Sequence, residues 1–108
     1  MLDEPTYQKL ADAAMHRLER AYGDLDPDLV DCELAGDVLT ITLSGKTKCI
    51  VNTQRPTRQI WVAAAARAWH FSYDEQGGRW YDDKNADNEL FSQVARIVKE
   101  HAGVEISS

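Results

Sequence analysis

The chain has 108 residues, 44% of them hydrophobic and 28% charged, which suits one soluble domain around one core and is too little for two. No apolar run approaches the roughly 20 residues that a membrane-spanning helix needs, and the start, M-L-D-E-P-T-Y, lacks the basic and apolar regions of a secretory signal. The net charge of −6 is unevenly placed: residues 1–37 hold ten Asp/Glu against three Lys/Arg, and residues 38–108 hold eight against nine. The first third should therefore repel nucleic acid and anionic membranes, and attract cations or basic proteins.

Residues 4–22 predict an amphipathic helix, because Tyr7, Leu10, Ala11, Ala14, Leu18 and Tyr22 recur at the spacing of a buried stripe. Pro5 fits its first turn and Gly23 its end. Asp12, His16 and Glu19 share the outer face. From Asp24, D-L-D-P-D reads as a turn. In V-D-C-E-L, Val30, Cys32 and Leu34 alternate with Asp31 and Glu33, giving a strand with one apolar and one acidic face. Ala35-Gly36-Asp37 predicts a hairpin into residues 38–43, where Leu39, Ile41 and Leu43 share a face. Ser44-Gly45 turns the chain into a third strand, K-T-K-C-I-V-N.

After a turn at Arg55-Pro56, a fourth strand begins near Gln59. It has Ile60, Val62 and Ala64 on its core side and Gln59, Trp61 and Ala63 on the other. Alanines 63–66 could suggest a helix, but the β-branched and aromatic residues around them favour strand, and W-H-F-S-Y makes a fifth. Residues 74–78 read as a hairpin turn, and R-W-Y-D as a short sixth strand. The polar cluster 84–88 is expected to N-cap a second helix that runs to about Ala102 and stops at Gly103. Leu90, Val94, Ile97 and Val98, with Phe91 and Ala95, form its buried face, and V-E-I-S-S is a tail. Cys32 and Cys49, without a C-x-x-C, make neither a disulfide framework nor a zinc site. They read as small core residues in a reducing cytoplasm.

Helix, five or six short strands, helix: this order predicts an α+β fold, a two-layer sandwich with both helices on one face of an antiparallel sheet. The other face would be open. Trp61 would stand there among Asn52, Gln54 and Gln59, as a candidate anchor for another protein. Alternatively a loop or cross-strand partner covers it. His70 shares that face, either as part of the contact surface or as a strand histidine bonded to a neighbour.

The acidic band comprises Asp12, Glu19, Asp24, Asp26, Asp28, Asp31, Glu33 and Asp37. Glu19 and Asp24 sit at the negative end of the helix dipole, and like charges this dense repel. A bound cation would relieve that cost, and carboxylate oxygens suit Ca²⁺, Mg²⁺, Mn²⁺ and iron. The alternatives are a solvated acidic face that confers solubility and a patch that docks on a basic protein. His16 could add a nitrogen ligand or simply pair with its carboxylate neighbours. His101, at a helix end, needs no function. Nucleotide-binding loops, nucleophile elbows, zinc-protease motifs and EF-hand spacing are missing, so an enzyme acting on an organic substrate is not expected.

Several stretches together resemble the frataxin family, in its bacterial form. They include Tyr7–Ala11–Asp12, the acidic turn, Asp31-Cys32-Glu33-Leu34 and residues 38–42. The most specific is Asn52-x-Gln54-x-Pro56-x-x-Gln59-x-Trp61-x-Ala63, followed by Trp69-His70-Phe71 and Trp80-x-Asp82. The resemblance covers nearly the whole chain and implies the same sandwich, with residues 1–108 as one domain. It further implies an accessory or regulator of iron–sulfur cluster assembly that contacts a cysteine desulfurase and its scaffold protein. Iron, ferrous or ferric, would be held weakly on the acidic ridge, with no organic cofactor. Ferroxidase or iron-storage activity and a metal-independent interaction module are the alternatives. A cytoplasmic monomer, or an oligomer formed with iron, is expected, with neither nucleic acid nor membrane as partner. The ridge is thinner than in many members, since Arg20 follows Glu19 and Gly23 precedes Asp24.

Overall fold

The structure is a computed structural model that describes residues 2–106; Met1 and the last two residues of the expected tail, Ser107 and Ser108, lie outside the described residues. Helix α1 spans Glu4–Tyr22. Asp3 caps it, its carboxylate accepting the Thr6 N–H at 2.8 Å, and Pro5 occupies the first turn, where no N–H is needed. Tyr7, Ala11, Ala14, Met15, Leu18 and Tyr22 form its buried stripe. Helix α2, Leu90–Ala102, buries Leu90, Val94, Ile97 and Val98 together with Gln93. Gly103 ends it in the left-handed conformation, φ 69°.

Between the helices run β1 Val30–Ala35, β2 Val38–Leu43, β3 Thr47–Gln54, β4 Gln59–Ala64, β5 Arg67–Asp74, β6 Arg79–Asp82 and β7 Asn85–Glu89. They pair in sequence order, all antiparallel, as one seven-stranded sheet. Alternation sends Leu39, Ile41, Leu43, Cys49, Val51, Ile60, Val62 and Phe71 to the helix side, where each is fully buried or nearly so. Burial on this scale is worth about 1.5–3 kcal/mol for each large apolar side chain. Trp80 closes one end of this layer, edge-on to Tyr7 (6.2 Å between centroids) and to Tyr73 (5.1 Å).

Two expectations need correction. The sheet has seven strands rather than five or six, because Asn85–Glu89 pairs with β6 across an irregularity at Tyr81/Asp82. The cluster at 84–88 therefore does not cap α2. Glu89 does, accepting from the N–H groups of Phe91 (2.9 Å) and Ser92 (3.1 Å). Within the tail, Val104 and Ile106 are half-buried against the core. The alanine run breaks between β4 and β5, at Ala65 (φ 50°) and Ala66 (φ 65°). A type I′ two-residue turn takes positive φ at both central residues, and an alanine held there costs roughly 1–2 kcal/mol.

Candidate functional site

The sheet face away from the helices carries an ordered cluster centred on Trp61. Register places Asn52, Trp61 and His70 side by side on β3, β4 and β5, with Gln54, Gln59 and Ser72 in the next row on the same face. The Trp61 indole stacks on the His70 ring, 4.2 Å between centroids and 14° between planes. Its Nε1–H donates to Gln59 Oε1 at 2.8 Å. The Gln59 amide in turn donates to Ser72 Oγ at 3.1 Å and to the Asp83 carboxylate. Ser72 Oγ donates to Asp83 Oδ1 at 2.7 Å. One face of the indole is thus covered by a cross-strand neighbour and its polar edge is satisfied, leaving the ring half-buried on the open sheet face. Both expectations for Trp61 meet here: it has a cross-strand partner, and it still faces solvent. Val38 and Ile50, 37% and 38% exposed, lie on the same face, Val38 separated from Trp61 by Asn52 and Ile50 opposite Ala63 in the neighbouring row. Ser72 and Asp83 were not anticipated. Ser72 could have been found from its alternation with Phe71, whereas Asp83 arrives from a turn and left no such signal.

The last β3–β4 rung is reached from the other side of the sheet. Tyr7, fully buried on α1, donates its hydroxyl hydrogen to the Gln59 carbonyl (2.7 Å) and accepts from the Gln54 N–H (3.0 Å). Burial pushes the Tyr7 phenol above its ordinary value, so it stays protonated and keeps donating at neutral pH.

The acidic residues are held differently. Asp12 and His16 stand on the exposed face of α1, and Glu19, half-buried, lies one to two turns on. Asp12 Oδ1 accepts from Gln8 Nε2 at 2.8 Å, and His16 Nδ1 lies 2.8 Å from the Asp12 main-chain oxygen. His16 therefore bonds to the helix backbone rather than to a carboxylate. Asp24, Asp26 and Asp28 occupy the α1–β1 connection, where the Asp26 carboxylate accepts the Asp28 N–H at 3.0 Å. Asp31 and Glu33 are exposed on β1, an edge strand, and Asp37 sits in the turn at its far end. Among the described residues no three His, Cys, Asp or Glu side chains converge as a metal site, and no ridge carboxylate forms an ion pair with Lys or Arg. Hard oxygen donors of this kind suit iron, but their placement does not preform a coordination sphere.

Beneath the ridge lie the free thiols of Cys32, half-buried, and Cys49, fully buried. Burial pushes Cys32 up to about 11, helped by the negative charges of Glu19 and Asp31, and pushes Cys49 up to about 12. Neither is a nucleophile at neutral pH. His101 lies in the last turn of α2, where its carbonyl accepts from Ser44 Oγ at 3.1 Å. Among the described residues no helix is long and apolar enough to cross a membrane.

Two helices on one face of an antiparallel meander, with an aromatic and amide cluster on the bare face, define a two-layer α/β sandwich that presents its sheet. A frataxin-like domain profile matches residues 1–104, and the chain belongs to the frataxin-like family. It is 38% identical over 104 residues to the iron-sulfur cluster assembly protein CyaY of Pseudomonas fluorescens strain Pf0-1, covering 96% of this chain and 93% of the relative. To the protein of the same name from Azotobacter vinelandii it is 36% identical over 105 residues, covering 97% and 94%. Frataxin from Psychromonas ingrahamii shares the fold with a TM-score of 0.87 at 24% identity, over 98% of this chain and 97% of the other. A trimeric yeast frataxin complexed with ferrous iron shares it with a TM-score of 0.61 at 22% identity, over 96% and 89%.

Proposed function

We propose that the chain is an accessory protein of iron–sulfur cluster assembly that regulates the process by docking on its machinery rather than by catalysis. The relatives named for that process are similar over nearly the full length of both chains. The observation that carries the docking part is the Trp61 cluster: a half-buried indole, held by Gln59 and His70, on a sheet face that no helix covers. Residues 1–108 act as one frataxin-like domain, with Asn52, Gln54, Gln59, Trp61 and His70 as the contact surface for a scaffold protein. The ridge residues Asp12, Glu19, Asp24, Asp26, Asp28, Asp31, Glu33 and Asp37, with His16 beside them, meet a basic surface on the cysteine desulfurase and hold iron loosely as cargo. Weak, exchangeable binding is what scattered carboxylates can give.

A second reading, a metal-independent interaction module, is favoured by the absence of converging ligands among the described residues. One experiment addresses both. Desulfurase-driven cluster formation on the scaffold is followed with wild type, with Trp61→Ala and with a variant carrying Asp24→Asn, Asp26→Asn and Asp31→Asn, at two iron concentrations. Wild type should change the rate, and each variant should lose most of that effect. An iron-independent wild-type effect selects the interaction module; no wild-type effect at either concentration removes the proposal.

A further inference from the structure

The Trp61 cluster is tied to α1 through one hydroxyl that surface reasoning does not reveal. Tyr7 Oη lies at the mouth of the β3–β4 hairpin, 2.7 Å from the Gln59 carbonyl and 3.0 Å from the Gln54 nitrogen. Gln54 and Gln59 are the last paired residues before the four-residue turn 55–58. That turn is strained, with Arg58 at φ 56°, so the final rung is where the hairpin would fray first. Gln59 has a second task. Its side chain accepts from the Trp61 indole and donates to Ser72 and Asp83. The position of the indole therefore depends on where the Gln59 backbone is held, and the Tyr7 hydroxyl holds it.

We infer that Tyr7 is a positioning residue for the open sheet face: its hydroxyl bridges the strands at Gln54 and Gln59 and so fixes the Gln59–Trp61 couple in the orientation that a partner meets. The ring of Tyr7 is a core element, but the hydroxyl is not needed for packing. It lies 52 residues from Gln59 in the chain and links the helix layer to the face that carries contacts. A rigid anchor loses less conformational freedom on binding than one that must be ordered first. Loosening the rung should therefore weaken docking without altering any side chain on the docking surface. This inference rests on the docking role proposed above for Trp61.

Tyr7→Phe removes the oxygen alone. The test uses the full chain and two readouts. The first needs no partner: the indole N–H resonance of Trp61, assigned with Trp61→Phe, and its solvent exchange rate, against those of Trp69 and Trp80. In Tyr7→Phe the Trp61 indole should shift and exchange faster, along with the Gln54 and Gln59 amides, while Trp69 stays unchanged. The second is affinity for the scaffold protein, which should weaken by about fivefold, the scale of one hydrogen bond. Tyr7→Leu, which removes ring and hydroxyl together, should lose clearly more stability than Tyr7→Phe. An unmoved Trp61 indole in Tyr7→Phe overturns the inference, whatever the affinity. So does a moved indole with unchanged affinity in a system where Trp61→Ala weakens binding. If Trp61→Ala itself leaves binding intact, the proposed docking role fails instead, and the link from Tyr7 to Trp61 stands or falls on the indole signal.

Discussion

The Trp61 face and the acidic ridge are the two surfaces this chain offers, and they are built in opposite ways. On the sheet face a joined set of polar groups holds the indole: Gln59 joins Trp61, Ser72 and Asp83, and His70 stacks on the ring. Linked bonds of this kind reinforce one another and fix side-chain positions. On the ridge, Asp24, Asp31 and Glu33 are left to solvent, and Asp12 and Asp26 make only local bonds. The difference teaches what each surface can do. A fixed face can recognise shape, whereas a loose array of like charges can recognise only the sign of a partner's charge, and can bind cations without selecting among them.

The largest expected effect probes the ridge from below, at high pH. Cys49 is raised to about 12 and Cys32 to about 11 by burial, against an ordinary value of 9.0. The stability tied to these protonated thiols is fully present below pH 9.0 and is lost as pH rises through the folded values, because the unfolded chain gives up those protons first. The buried Cys49 alone should cost about 1.4 kcal/mol for each pH unit above that point. Tyr22, also raised by burial to about 12, adds to the fall above pH 10.0. Urea unfolding between pH 8 and 11 should show a steep decline that Cys49→Ala flattens. An equal slope in both proteins would mean that Cys32 and Tyr22, rather than the Cys49 thiol, govern the alkaline limb.

Next in size is the network on the sheet face. Gln59→Ala leaves the half-buried Trp61 Nε1–H without its acceptor and frees Ser72 and Asp83, so a loss of about 0.5–1.5 kcal/mol is expected. Acrylamide should then quench Trp61 more readily, with Trp61→Phe subtracting the other two indoles. Ser72→Ala should cost less, since the Gln59 amide keeps Asp83. If Gln59→Ala costs no more than a ridge substitution does, the face is not the fixed surface described above.

Much of the sandwich was legible in the sequence because its signals are local. Alternation in Val38–Leu43 and Gln59–Ala64 fixed which side chains are buried, and the spacing of Tyr7, Ala11, Ala14, Leu18 and Tyr22 fixed the face of α1. β7 was not legible. Asn-Ala-Asp-Asn-Glu has the composition of a turn, and it becomes a strand only because Tyr81 and Asp82 pair with Glu89 and Asn85. The sheet residues of the candidate site could be named, since Asn52, Trp61 and His70 follow from period and register. Their fastening could not, because Tyr7 and Asp83 reach Gln59 from 52 and 24 residues away in the chain. The ridge residues were readable by charge, but composition says nothing of whether carboxylates converge.

The smallest expected effect tests that last point directly. If the ridge is a set of mutually repelling, unpaired charges, removing some of them should stabilise the fold. Asp24→Asn, Asp26→Asn and Asp31→Asn together should raise Tm at low salt by up to about 6 °C, the range that weak surface charge terms allow in a domain of this size. Asparagine at 26 retains an acceptor for the Asp28 N–H, so the turn survives. Lys48 works against the gain: Asp31 pairs with Thr42, and Lys48 lies one strand further along the same row. Salt should abolish the difference, because the screening length falls to about 3 Å at 1 M. A divalent cation should raise Tm of wild type more than that of the variant. A lower Tm for the variant at low salt would show that the carboxylates serve the fold, and the ridge would then be a structural edge rather than a loose cation-binding surface.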